Sequence, residues 1–337
     1  MTATPRLDVV IVTWNHGADV DTCLRSLAAS SADAAAVAAI AVVDNASDVP
    51  YDAPDLGGLP PVRVLCNRRN AGFAPACNQG AAHGRAEFVL FLNPDTVVPA
   101  GALTRALAAF EDADAAHVGL LGLGLVGLDG VTQRTCGRFP TVRRILCQVT
   151  GLSQLAPSHW LGLRLTDRDH QAARDVDFVS GACLFARRRL FDQLGGFDEG
   201  FTLYLEDADL AWRAHQAGWR TRFLPHPPIR HRLGWSTGRD RPLRLAHSWR
   251  SLMVYAQRHF DPPRALSVIV ITLVLAPIAR LAQAAVNRSL RDARSAASAT
   301  LTLGRLLWLD WRRGRVRLLP RAQPVSSTGA APPRGGA

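Results

Sequence analysis

Three apolar runs in the first hundred residues each end in polar side chains, and this recurrence constrains the fold more than any other feature of the chain. VVIVT (residues 9–13) runs into Trp14 and Asn15, IAVV (40–43) into Asp44 and Asn45, and FVLFL (88–92) into Asn93, Pro94 and Asp95. Runs rich in β-branched and aromatic residues, without polar alternation, read as strands buried on both faces, the kind found in parallel sheets. Between the first two, Val20, Leu24 and Leu27 keep a helical spacing. The order strand, helix, strand, strand, helix, strand predicts an α/β sheet whose carboxyl edge gathers Asn and Asp, the edge where open sheets bind ligands. Pro94 has no N–H to give to a ladder, so Asp95 stands at a strand end. A turn aspartate would share that local sequence, but polar residues at three strand ends favour one shared site.

The α/β character continues to about residue 240. A Gly/Leu stretch (117–130) reads as strand and turn, 177–201 as strand, helix and Gly-Gly stop, and 204–219 as acids ahead of an amphipathic helix. Residues 132–175 are basic and irregular. Hydrophobic content of 48% with 20% charged residues fits a folded chain. Six cysteines form no CxxC pair, the expectation for a reduced, cytoplasmic protein, and VVIVTW is too short for a signal peptide. The net charge of +11 is local: residues 1–239 carry 23 Arg against 24 acids, and residues 240–337 carry 16 Arg against 4 Asp. Within that basic third, residues 265–279 are apolar between Arg264 and Arg280. The run is shorter than the roughly 20 residues a span needs, and Pro277 interrupts it. Amphipathic helices lying peripherally on an anionic membrane surface explain both features, with a packed helical subdomain and then a true span as the alternatives. Arg interleaved with Leu and Ala makes no platform for nucleic acid. The expected organisation is an α/β catalytic domain over 1–240, a basic helical region over 241–320 and a disordered, low-complexity tail over 321–337.

VVIVTWN, VVDNAS, NAGFAPACNQG, FLNPDT, VSGAC, GGFDEGFTLYLEDADLAWRAHQAGW and IRHRLGWST occur in that order. Together, over about residues 7–240, they resemble the family 2 glycosyltransferases, especially the bacterial rhamnosyl- and galactofuranosyltransferase-like group. The resemblance implies a GT-A fold, a dTDP- or UDP-sugar donor, a divalent metal (Mg2+ or Mn2+) and inversion at the anomeric carbon. It implies metal binding by Asp95, in a motif whose first aspartate is here Asn93, and by His231. Asn93 supplies a neutral carbonyl oxygen, acceptable to a hard cation but weaker than a carboxylate. The catalytic base falls on Asp207, and a base near a helix N-terminus is expected to be held ionised; Asp209 is expected only to favour the helix dipole. Thr13, Asn15, Asn70, Gly72 and Asn78 match positions facing the nucleotide and diphosphate, and Asp44 the aspartate that meets the pyrimidine, whose N3–H a carboxylate accepts. Gly181 lies where the sugar or acceptor passes. Phe73 serves either the cleft or the core. Trp212, Trp219 and Trp235 are sugar-stacking candidates, Trp235 foremost.

The implied activity is transfer of a hexose, such as rhamnose, to a hydroxyl of a lipid-linked or cell-envelope glycan on the inner face of the cell membrane. Two other readings stay open. A sugar nucleotidyltransferase needs a Gly-rich basic loop after its first strand, where this chain has TWNHGAD. A non-catalytic nucleotide-sugar-binding scaffold would have lost Asp95, Asp207 or His231, and all are present.

Overall fold

A computed structural model describes residues 5–155, 161–232 and 241–312. The first half builds strands β1 (Leu7–Thr13), β2 (Val37–Asp44), β3 (Val62–Cys66) and β4 (Phe88–Leu92) around helices α1 (Gly17–Ala28), α2 (Ser31–Ala36) and α3 (Phe73–Ala81). There follow β5 (Thr96–Val97), α4 (Ala102–Ala108), β6 (Val118–Val126), and the short β7 (Thr132–Gln133) and β8 (Cys136–Gly137). The stretch without a sequence reading then holds α5 (Val142–Thr150), α6 (Leu152–Leu155), a 3-10 turn and β9 (Arg174–Val176). Next come β10 (Phe178–Val179), β11 (Cys183–Arg187), α7 (Arg188–Gln193), α8 (Glu206–Gln216) and β12 (Arg220–His231). Four helices complete the described chain: α9 (Arg241–His259), α10 (Pro262–Val270), α11 (Ala276–Val286) and α12 (Leu290–Arg312).

The main sheet runs in the order β3-β2-β1-β4-β11-β6-β12-β5. β1, β2, β3 and β4 are mutually parallel, while β11 runs antiparallel between β4 and β6. The reversal at β11 sets the start of one strand beside the ends of others: Cys183 pairs with Leu92. His231, at the end of β12, pairs with Thr96 just past the end of β4. Residues far apart in sequence thus meet at one edge.

The uniform apolar runs are explained by two-sided burial. Phe88, Leu90 and Leu92 of β4 join the core under α1 and α4, and Val89 and Phe91 join the core under α3, α7 and α8. Phe91 packs on Phe191 and Phe197 with ring centroids 5.1 and 4.8 Å away; truncating such a residue to Ala costs about 3–5 kcal/mol. All six cysteines are free.

The C-terminal helices are fastened to this body. Val254 and Tyr255 of α9 sit in the same core as α8, and Ile145 of α5 packs with Ala265 and Val268 of α10. Pro277 does not interrupt the apolar run as the sequence reading expected. A π-turn over Ile271–Leu275 leads without a break into α11, and Pro277 falls in the first turn of that helix. Residues Pro262–Val286 therefore form one apolar helical stretch of 25 residues, within which an 18-residue window has a mean hydropathy of 2.3 and is 39% buried inside the molecule. The tail from residue 321 lies outside the described residues.

Candidate active site

The carboxyl edge of the sheet opens into a cleft of two joined cavities, of about 580 and 540 Å3, that share Val12, His16, Phe73, Leu203, Tyr204 and Arg244. Thr13, Asn70 and Gly72 line the smaller cavity; Asn93, Asp95, Gly181, Asp207 and His231 line the larger. Most of the sequence-derived candidates are brought together here, and the structure divides them by what their polar atoms do.

In the smaller cavity the polar groups hold one another. Asn45 is the hub: its amide nitrogen donates to Asn70 Oδ1 and to the Gly72 carbonyl at 2.9 and 3.0 Å, and its oxygen accepts from Asn67 and from the Ala71 N–H. Gly72 has φ +96°, and a Cβ there would lie 3.0 Å from the Thr202 carbonyl oxygen, so the turn needs glycine for its conformation and for close approach to its own chain. Thr13 differs. The residue borders the cavity, and its buried hydroxyl has no hydrogen-bond partner.

Three expected donor contacts are placed elsewhere. The Asp44 carboxylate is only 1% exposed and accepts from the N–H groups of Ser47 and Tyr51, so it shapes the loop after β2 instead of facing a base. Asn15, at φ 62°, exchanges two hydrogen bonds with Asp48 and donates its N–H to Ser47. The Asn15 clasp turns Trp14 and His16 toward the cleft, and Trp14, 41% exposed, is an aromatic face there that the sequence reading passed over. Asn78 staples α3 to Phe197 and Glu199. Phe73 lines the cleft and also packs edge-on against Phe197. Trp212 packs on Phe139 and Trp219 lies under the Arg189 guanidinium, both outside the cleft. Trp235 falls outside the described residues.

The larger cavity is chemically different. Asp207 sits in the first turn of α8, where Oδ2 accepts from the Gly181 N–H at 3.1 Å and Oδ1 from the Ala208 N–H at 2.8 Å. Gly181 thus enters the site through its backbone. Burial pushes the Asp207 carboxyl above the ordinary aspartate range, against Arg164 and those N–H groups, so desolvation outweighs the helix terminus that the sequence reading expected to dominate. Burial, followed by the Asp207 charge, also pushes Glu206 up, and Glu206 Oε2 has no partner. Arg164, from the stretch without a sequence reading, lines this cavity too.

The turn carrying these acids is strained. Tyr204 and Leu205 are consecutive left-handed residues with φ 69° and 66°, a conformation costing about 1–3 kcal/mol each. α9 holds it in place: Ser251 donates to the Leu203 carbonyl, Arg250 to the Gly200 carbonyl, and Thr202 bonds His247. Asp209 does more than favour the helix dipole, since it accepts from Arg213 and from His259 of α9.

Asp95 Oδ1 lies 3.2 Å from His231 Nε2, with the Asn93 amide also 3.2 Å from that nitrogen. His231 Nδ1 donates to Gln133 Oε1 at 2.8 Å, while Gln133 donates back to the His231 carbonyl. With Nδ1 carrying the proton, Nε2 presents a lone pair to the carboxylate, an arrangement that suits a shared cation. One carboxylate and one imidazole fit a Mn2+- or Mg2+-type ion. No group of three His, Cys, Asp or Glu that could hold a metal occurs among the described residues.

A mixed sheet with acids, imidazole and orphaned hydroxyls at its carboxyl edge is the arrangement of a GT-A glycosyltransferase. Residues 5–259 match the model for glycosyltransferase like family 2, and the chain belongs to that family. It is 30% identical over 266 residues to the N-acetylglucosaminyl-diphospho-decaprenol L-rhamnosyltransferase of Mycobacterium tuberculosis (strain ATCC 25618 / H37Rv), covering 75% of this chain and 85% of that one. The rhamnosyltransferase WbbL of Escherichia coli K12 is 27% identical over 142 residues, 41% of this chain and 50% of that one. Among solved structures, the mannosyltransferase PcManGT of Pyrobaculum calidifontis, in complex with GDP-Man and Mn2+, superposes with a TM-score of 0.50 at 19% identity, covering 93% and 84% of the two chains.

Proposed function

We propose that this glycosyltransferase moves a hexose, rhamnose foremost, from a dTDP- or UDP-sugar to a hydroxyl of a lipid-linked or cell-envelope glycan, with inversion at the anomeric carbon. The observation that carries the reading is the meeting of Asp207 with Asp95 and His231 in one cleft, beside the unpartnered Thr13 hydroxyl. The nucleotide occupies the smaller cavity, bonded by Thr13 and stacked on Trp14, and its diphosphate reaches into the larger one. Asp207 takes the proton of the acceptor hydroxyl, and the oxygen attacks the anomeric carbon from the face opposite the diphosphate. The sugar–oxygen bond to the diphosphate breaks, and the nucleoside diphosphate leaves with the bonding pair. Asp95 and His231 would hold Mg2+ or Mn2+, which as a Lewis acid offsets negative charge on the departing oxygens. Gly181 orients Asp207 through its N–H.

The lipid-linked acceptor is supported by the substrate that the mycobacterial relative is named for and by the C-terminal helices. On the described surface Leu273, Val274, Ile278 and Leu281 of the long apolar helix are exposed, with Trp308 and Trp311 on α12. An apolar face flanked by Arg suits peripheral attachment to an anionic membrane on its cytoplasmic side.

The test is nucleoside diphosphate release and thermal shift of the full chain with a panel of dTDP-, UDP- and GDP-sugars, with and without Mn2+ or Mg2+. A metal-dependent response to a thymidine or uridine sugar is expected. A response to guanosine sugars alone would overturn the donor assignment, and no response to any sugar would favour the binding-scaffold reading.

A further inference from the structure

Behind Tyr204 and Arg244 lies a third cavity of about 490 Å3, enclosed by α9, α11 and α12. It shares Tyr204, Arg244 and Ser248 with the catalytic cleft, so the two spaces meet at those side chains. Its wall carries three guanidiniums, Arg241, Arg244 and Arg280, against one carboxylate, Asp292. Arg241 pairs with Asp292 at 2.6 Å, and Arg244 donates to the Tyr204 hydroxyl at 2.7 Å. Arg280 is half-buried and bonds the neutral Gln283 at 3.2 Å; among the described residues no carboxylate lies within ion-pair distance of it. A half-buried guanidinium that faces a second one, Arg241, with Asp292 the single carboxylate in the wall to balance them, favours an anion. The helix that carries Arg280 also presents the exposed Leu273, Ile278 and Leu281 to solvent. At 1.5 Å rise per residue, that apolar face begins within roughly 10 Å of the Arg280 position along the axis.

We propose that this cavity is an acceptor subsite that binds the diphosphate joining a lipid to its sugar. The inference rests on the lipid-linked reading above and adds where the linkage is held. The lipid chain runs along the apolar face of α10 and α11, the diphosphate oxygens meet Arg280, Gln283 and Arg241, and the sugar reaches past Tyr204 and Arg244 toward Asp207. Arginine suits the task because its planar donor fork matches phosphate oxygens.

Farnesyl diphosphate serves as the probe, titrated into the full chain with Mg2+ and saturating dTDP to occupy the donor cavity, beside farnesol. Wild type is expected to bind farnesyl diphosphate more tightly than farnesol. Arg280→Gln should weaken the diphosphate about tenfold or more, consistent with loss of a charge-assisted contact, with partial recovery in Arg280→Lys and no change for farnesol. Donor hydrolysis by Arg280→Gln should match wild type, which shows that the variant folds and separates this claim from the transferase reading. Equal binding of farnesol and farnesyl diphosphate by wild type, or unaltered diphosphate binding by Arg280→Gln, would overturn the proposal. So would a variant that loses affinity for phosphatidylglycerol vesicles while keeping farnesyl diphosphate, because the cavity would then serve membrane headgroups.

Discussion

The two halves of the cleft use polar residues in opposite ways. In the donor half, Asn45, Asn70 and Gly72 are bonded to one another, and Asp44 and Asn15 fix the loops behind them. In the reaction half, Asp207 and Glu206 are buried acids, and Glu206 Oε2 and Thr135 Oγ1 have no partner. Apart from the unpartnered Thr13 hydroxyl, the donor half is a bonded framework that shapes a surface, while the reaction half leaves its acid and hydroxyl oxygens unpaired. Motif residues at the carboxyl edge therefore do not share one role, although they look alike in sequence.

The largest effect that would sharpen this contrast is expected in the reaction half. Asp207→Asn keeps an acceptor for only one of the two N–H groups, from Gly181 and Ala208, and removes the basic oxygen, so transfer should fall about 10²–10⁴-fold, the range of general-base catalysis. Calorimetry should find donor affinity within about twofold of wild type. Comparable turnover in the variant would break the division of roles. Asp95→Ala should follow, with loss of the metal-dependent gain in donor binding and a fall in turnover of about a hundredfold, several kcal/mol of leaving-group stabilisation being at stake. His231→Ala should show the same dependence more weakly, read by titrating Mn2+ against turnover.

The donor half should respond in stability instead. Asn45→Ala removes four hydrogen bonds and should cost about 2–4 kcal/mol in urea unfolding, with a raised donor KM and little change in kcat. A fall in kcat with unaltered stability would mean that Asn45 touches the reacting groups. The smallest effect concerns Glu206. Its folded-state pKa lies above the ordinary glutamate value of 4.5, so the folded chain keeps a proton that the unfolded chain releases. Stability from this group is full below that value and is lost as pH rises toward the folded one. Glu206→Gln should therefore melt with wild type at pH 4 and above it at pH 8; equal melting at both would show that Glu206 is not held protonated.

The sheet and its polar edge were legible because two-sided burial leaves an unbroken apolar signature, as in FVLFL, and Pro94 marks where it stops. Asp95, Asp207 and His231 were legible through the family resemblance together with their place at element ends. What sequence could not separate was a polar side chain facing a ligand from one facing its own loop. Asp44 and Asn78 carry the right chemistry and spend it on backbone N–H and C=O groups nearby or over a hundred residues away. Arg164 and Gln133 come from a stretch with no periodicity to read, and only the fold brings them beside Asp207 and His231. Trp14 had a signal, an aromatic directly after a buried strand. The strained pair Tyr204 and Leu205 had none, since neither residue favours a left-handed backbone.

The most direct test of the central claim, single displacement with Asp207 as base, is the anomeric configuration of the product. Time-resolved proton NMR of the full chain with dTDP-rhamnose would follow the first sugar transferred or released to water. Inversion relative to the donor is predicted. Retained configuration would contradict the account, because it requires a second displacement and a nucleophile in place of a base.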